Sequence, residues 1–377
     1  MAIIFLKEPS NLAPAYNDTF LHFKTTNSIS DHRAELEIGG YTFTIYPDLQ
    51  REYLFNLKSV VSALINIEKF RDTDHYINDG IPENDWWRSD NNLHKDVIVK
   101  FTVWGNDSFY GENSFYKESK TYGFTKAVRQ YGDKQYPNKT QLMLPSKDGL
   151  NYHLTYFEGF PCDITFQTIA TNEVIYFLNN RTQQQSPDYV GFSNNPHRFT
   201  FDNGMSNVHL RGDLDLPDMV NDLGIYASGV KKTSLNVKKV AARCGTHLKW
   251  FNADGSYSYW LFNQFYKQDY AGETLEVIGN NYFENIYNNN RGTIAITGKN
   301  GEQSLKLTTL ADEHEKEHLV SLVTSPMVQM WSAQEPFSDG EWIDVIVTSK
   351  GFEYASKRDY NRINVTIQLP PVQTQFL

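Results

Sequence analysis

The chain is short of cysteine, of basic runs and of long apolar runs, and each shortage closes off a class of protein. Only two cysteines, Cys162 and Cys244, occur in 377 residues. Two cannot make a disulfide framework, and so few suit folding in a reducing compartment. The net charge is −10 and no run of lysine and arginine stands out. That argues against a nucleic-acid partner and against an anionic membrane surface. No apolar stretch approaches the length of a membrane span. The opening MAIIFLKEPS places its charge after a brief apolar run, the reverse of a secretory signal. No glycine-rich phosphate loop follows a strand, no G-x-S-x-G elbow is present, and no repeat shows at a fixed spacing.

Aromatic rings are what the chain has in quantity. It holds 23 Tyr and 24 Phe, residues that favour strands and contact surfaces. Hydrophobic residues make up 40% and charged ones 21%, the balance of a globular chain. Its length suits two or three domains with sizeable cores.

Periodicity predicts a mainly β protein. Leu36 and Ile38 alternate before Gly39-Gly40, and Tyr41, Phe43 and Ile45 after it, as in a hairpin. Val97, Val99, Phe101 and Val103 alternate as a strand. Helical spacing covers Phe55–Ile65, with Asn56 as N-cap, and about Ala311–Val323, capped by Asp312 or Thr309 and stopped before Pro326. A short helix is read at Phe124–Gln130. A hairpin is read at Thr293–Thr308, turning at Gly298-Lys299-Asn300-Gly301. Turn chemistry over Leu216–Gly229 places a boundary near residue 230. The expected architecture is two β-sandwich or open-barrel units, 1–230 and 231–377, each with a short helix packed on its sheet. An excursion is read at 66–150, and the second unit's helix falls near 311–323.

The stretch CGTHLKWFNADGSYSYWLF, Cys244–Phe262, is the focus of the chain. His247–Phe251 forms one arm, Asn252-Ala253-Asp254-Gly255 a tight turn, and Tyr257–Phe262 the return. Rings point from both faces of that return arm, so both faces need cover. Either both lie in one core, or one meets another protein chain. Trp86-Trp87 in a polar excursion, and the tyrosines of the Asn-rich stretch Asn263–Asn290, are further candidate contact residues.

Chemistry is harder to place. His314-Glu315-Lys316-Glu317-His318 satisfies H-E-x-x-H on a predicted helix, where two histidines one turn apart can share zinc. The same residues also read as the wet face of an amphipathic helix, and no convincing third ligand follows. Arg211-Gly212-Asp213 is ordinary turn chemistry. Asp213, Asp215 and Asp218 lack the glycine and closing glutamate of a calcium loop. Aromatics and lysines mix over Ser108–Tyr136, but Glu112, Glu118 and Asp133 spoil a nucleic-acid funnel. No catalytic, cofactor-binding or metal-ligating residue is assigned, and an enzyme is not expected.

LNVKKVAARC, followed by LKWFN, DG and YSYWLF, resembles the second half of tail-associated structural proteins in phages and prophages of Bacteroidota-type bacteria. The opening KEPSNLAPAYNDTFLHF and FNLKSVVSALI, and SLKLTTLADEHEKEHLVSLVTSPMVQMW near the end, resemble the same group. The likeness touches both ends and the hairpin and leaves roughly 70–150 unmatched. It implies a virion component of the baseplate, tail tip or fibre base, assembled in the bacterial cytoplasm as a homo-oligomer among other tail proteins. Host attachment, with contact to a host-surface glycan, belongs to the same implication. The alternative is a carbohydrate-binding adhesin or receptor-binding protein.

Overall fold

The computed structural model describes residues 3–10, 12–26, 31–67, 70, 72, 87–107, 111–130, 141–145, 147–148, 151–167, 173–189, 196–202, 214, 216–241, 244–263, 265–280, 293–333, 337, 340–355 and 358–374. The fold is mainly β, with several sheets in sandwich-like units and two α-helices among the described residues. It divides into two compact units, 1–240 with 251–258, and 241–250 with 259–377.

The first unit opens with a three-stranded antiparallel sheet, Ile3–Lys7, Phe20–Thr25 and Tyr53–Asn56. A five-stranded sheet accompanies it, in the order Ala13–Pro14, Gly111–Thr125, His94–Asp107, Asp31–Ile38 and Tyr41–Ile45. Alternation decides which side chains turn inward. Val97, Val99, Phe101 and Val103 are buried while Ile98 and Lys100 are not. They share one core with Leu21, Phe23 and Tyr53, and with Val60, Val61 and Ile65 of helix α1 (Lys58–Ile65).

Asn56 lies one place outside the N-cap, which is Leu57, yet its Oδ1 still accepts the backbone N–H of Lys58 at 3.1 Å. The helix read at Phe124–Gln130 is absent. Phe124 and Thr125 end the strand Gly111–Thr125, and 126–130 are irregular. Strand pairing to His94–Asp107 outweighs the short helical pattern there.

Further along, a four-stranded sheet (Gln141–Leu142, Cys162–Gln167, Pro196–Asp202, Trp87–Ser89) faces a six-stranded one. The latter orders Lys147–Asp148, Asn151–Phe157, Val230–Val240, Met219–Ala227, Ile175–Asn179 and Gln184–Gln185. Phe177 and Phe199 meet edge-on at 5.1 Å between the two sheets. Val230–Val240 pairs parallel with Asn151–Phe157 and antiparallel with Met219–Ala227, so the first unit runs on past the turns near 230.

The second unit centres on a seven-stranded sheet. Its order is Tyr257–Phe262, Thr246–Phe251, Val328–Trp331, Trp342–Val347, Asn361–Gln368, Lys299–Ala311 and Phe265–Thr274. Helix α2 (Glu313–Thr324) buries Leu319 and Leu322. The hairpin read with a turn at Gly298–Gly301 is corrected: Lys299–Ala311 is one strand, opposite Phe265–Thr274. Gly301 serves a close approach, since a Cβ there would lie 3.0 Å from Val372 Cβ. Thr293–Ile296 pairs instead with Val277–Asn280.

Candidate interaction surface

The central hairpin forms where the sequence places it, but its rings are sealed. Every residue of Thr246–Phe251 and Tyr257–Phe262 is buried within the chain. A large buried indole needs a partner for its N–H. Trp250 donates to Ser321 Oγ at 2.8 Å and Trp260 to Thr309 Oγ1 at 3.0 Å. His247, Tyr259 and Trp342 form one ring cluster, with the Lys249 ammonium 4.3 Å from the Trp342 ring centre. The hairpin is therefore core, and the reading of one of its faces as a contact with another chain is corrected.

Its tip, Phe251–Ser258, counts with the first unit and is held there by polar bonds. Asn252 N–H donates to Ser256 O at 2.7 Å across the turn, and Gly255 takes φ +88°. Val128 N–H donates to Ala253 O at 2.7 Å. The Ser256 hydroxyl bonds that of Thr165, and Arg129 pairs with Asp254 at 3.3 Å.

Beneath Tyr257 lies a buried ion cluster. The Arg198 guanidinium carbon is 4.4 Å from the Tyr257 ring centre. Its nitrogens meet both carboxylate oxygens of Asp72, at 2.7 and 3.2 Å, then Asp90 at 3.3 Å and Asp163. One buried cation so ties four distant parts of the chain together. Nearby, Tyr156 donates to Asp202 Oδ2 at 2.6 Å. Burial first, then the Asp202 charge, pushes the Tyr156 phenol far above its ordinary range. Burial likewise raises the Cys162 thiol, with Asp163 and Asp202 adding to it, whereas Cys244 is exposed.

The H-E-x-x-H residues do not converge. Asp312 caps α2, its Oδ1 accepting from His314 N at 3.0 Å and Glu315 N at 2.9 Å. Glu315 turns back to accept the Asp312 N–H at 3.0 Å, completing a capping box. His318 is buried and His314 is exposed. Among the described residues no group of three His, Cys, Asp or Glu is arranged to hold a metal ion. Asp218 is exposed, 3.8 Å from Lys239. Asp213, Asp215, Trp86, the Trp87 side chain and Tyr282, Phe283 and Tyr287 lie outside what is described.

What remains open is a ribbon that begins in the Asn-rich stretch after the central hairpin. Phe265–Thr274 pairs with Lys299–Ala311, and the same two chain directions continue as Val277–Asn280 against Thr293–Ile296. Ala271 to Gly279 are exposed without interruption, so neither face of that strand is covered. Apolar side chains ride on it: Leu275 is 41% exposed, Val277 63%, Ile278 43%, Ile296 38%, and Tyr270 70%. Two-stranded ribbons are marginal alone, and apolar side chains on both faces call for cover. The signal for it was present in the alternation of Thr293–Thr297, masked by the Asn300-Gly301 turn signature. A depression of about 490 Å³ over Glu35, Glu37, Thr42 and Lys100 is a different kind of surface. Two of its charges pair directly, Lys100 with Glu37 at 2.8 Å.

No protein-family model matches the chain, and no curated protein matches it significantly. Among solved structures it is similar to titin A168–A169, at 12% identity over 64% of this chain and 100% of that one, with a TM-score of 0.25. The fibronectin(III)-like modules of Clostridium thermocellum CbhA match at 6% identity, covering 63% and 95%, with a TM-score of 0.20. A Ca2+-stabilised adhesin with which an Antarctic bacterium binds ice matches at 11%, covering 98% and 73%, with a TM-score of 0.18. At such scores none of these bears on the role of this chain.

Proposed function

We propose that this chain is a structural protein of a phage tail, at the baseplate, tail tip or fibre base. It works by contact with copies of itself and with neighbouring tail proteins, and makes or breaks no bond. The sequence resemblance at both ends and at the central hairpin supplies the class. The observation that carries a contact role is the ribbon exposed on both faces, Ala271–Gly279 with Ile296 opposite Val277. Peptide mass spectrometry of particles purified from a lysed culture tests the reading. Recovery of this chain in several copies per particle is expected, and its absence from intact particles sinks the proposal.

A second reading is a carbohydrate-binding adhesin. It is favoured by Tyr176 and Tyr226, half-buried and stacked at 4.9 Å on the face of the six-stranded sheet away from Leu223 and Ile225. Tyrosine offers a sugar an apolar face with a polar tip. A glycan array decides it: saturable binding that Tyr176→Ala abolishes supports the adhesin, and silence removes it.

A further inference from the structure

We infer that two copies of this chain pair edge to edge through the strand Phe265–Thr274, about a two-fold axis at Tyr270. This deepens the contact role proposed above by naming a second copy as the partner. Phe265–Thr274 is the last strand of the seven-stranded sheet. Among the described residues its only ladder is with Lys299–Ala311, and no described strand pairs with its other edge. Such an edge is a template for another strand unless something blunts it.

The usual blunting devices are missing or neutralised. No proline interrupts FYKQDYAGET. Ala271 and Gly272 are small, and nothing lies within 4 Å of where a Cβ on Gly272 would be. The charge at Asp269 is already taken up, by Lys306 and Lys267, each at 2.9 Å. Those lysines, Lys306 first, hold the Asp269 carboxyl below its ordinary range.

Register then selects the partner. In an antiparallel ladder a residue whose backbone groups point outward pairs only with another of the same kind. A two-fold axis between identical strands must therefore pass through a residue and its own copy. An axis at Asp269 opposes Lys267 to Ala271 and Glu273 to position 265, so it forms no opposite-charge pair across the ladder. One at Ala271 sets Asp269 against Glu273 twice. An axis at Tyr270 opposes Lys267 to Glu273 on both sides, Gln268 to Gly272, and Tyr270 to itself. It keeps the run from Tyr266 to Thr274 in register, as long as the run an axis at Asp269 would keep. Opposite charges and paired aromatics directly across a ladder are the favourable combinations. The same strand is thus complementary to itself, as an isologous contact requires. The pairing also brings Leu275 of each copy to position 265 of the other.

Sedimentation velocity on the full chain, from low to high micromolar concentration, is the test. A reversible dimer is expected. Glu273→Lys turns two attractive pairs into repulsive ones and should weaken it about tenfold. Tyr270→Lys places two cations on the axis and should act in the same direction. The exchange Lys267→Glu with Glu273→Lys should restore the dimer. Tyr270→Cys in a Cys244→Ser background should give a disulfide-linked dimer on mild oxidation, a readout that does not depend on affinity. A wild-type chain that stays monomeric throughout, or a dimer unmoved by Glu273→Lys and Tyr270→Lys, overturns the inference. Either result leaves the tail reading to be judged separately, by recovery of the chain from particles.

Discussion

Arg198 shows what a single residue can hold. It is buried with three carboxylates around it and a phenol ring against it. Removing one partner of a buried ion cluster costs more than the cluster contributes, because the remaining charges stay out of water. Arg198→Ala should therefore lose about 3–5 kcal/mol in urea denaturation followed by tryptophan fluorescence. Arg198→Lys should recover only part, since an ammonium cannot grip Asp72 with two parallel bonds. None of this was legible in the sequence. Arg198 carries no local motif, and its partners Asp72, Asp90 and Asp163 stand far from it along the chain.

The buried thiol and phenols give a second consequence at this scale. Folded, Cys162, Tyr156 and Tyr122 hold their protons above the ordinary values of 9.0 for the thiol and 10.0 for the phenols, chiefly through burial. As pH rises past those values the unfolded chain gives up protons first, so stability falls on the alkaline side and is full below it. Urea midpoints should drop steadily above pH 9.0. Iodoacetamide at neutral pH should label Cys244 in the native chain and reach Cys162 only after denaturation, as peptide mass spectrometry would show.

At the level of elements, the parts that local chemistry dictates were readable. The Gly39-Gly40 hairpin, the strand through Val97–Val103, the helix cap read at Asp312 or Thr309, which is Asp312, and the turn at Gly255 all follow from short-range pattern. Asp312→Ala should cost about 1 kcal/mol by loss of the cap. Gly255→Ala should cost more, about 2 kcal/mol, since it strains φ and brings a Cβ to 3.0 Å from the Lys126 carbonyl carbon and oxygen. Thermal unfolding of the two variants would rank them, and equal losses would deny the clash. The ribbon was not readable, because Asn300-Gly301 carries a turn signature inside a strand that the C-terminal segment approaches closely. The hairpin's shape was legible while its role was not: rings on both faces signal cover, and pattern does not say whose.

For the molecule as a whole, no single cut separates the two units, since 251–258 belong to the first and their flanks to the second. A fragment ending at Val240 would leave Arg198 without Tyr257, Thr165 without Ser256 and Phe70 without Phe251. It should bind a hydrophobic dye and melt well below the intact chain. A native-like melt for that fragment would show the tip to be dispensable.

Translation adds a direction to this arrangement. On the ribosome the first unit has nearly all of its strands once residue 240 has emerged, yet its last eight residues, Phe251–Ser258, are still to be made. Domains usually close one after another during synthesis. Here the earlier one must wait, unsealed over Arg198, until part of the later one has left the exit tunnel. A pause in elongation shortly after residue 240 would expose that gap to chaperones and proteases. One placed beyond Ser258, once the tip has cleared the tunnel, would not.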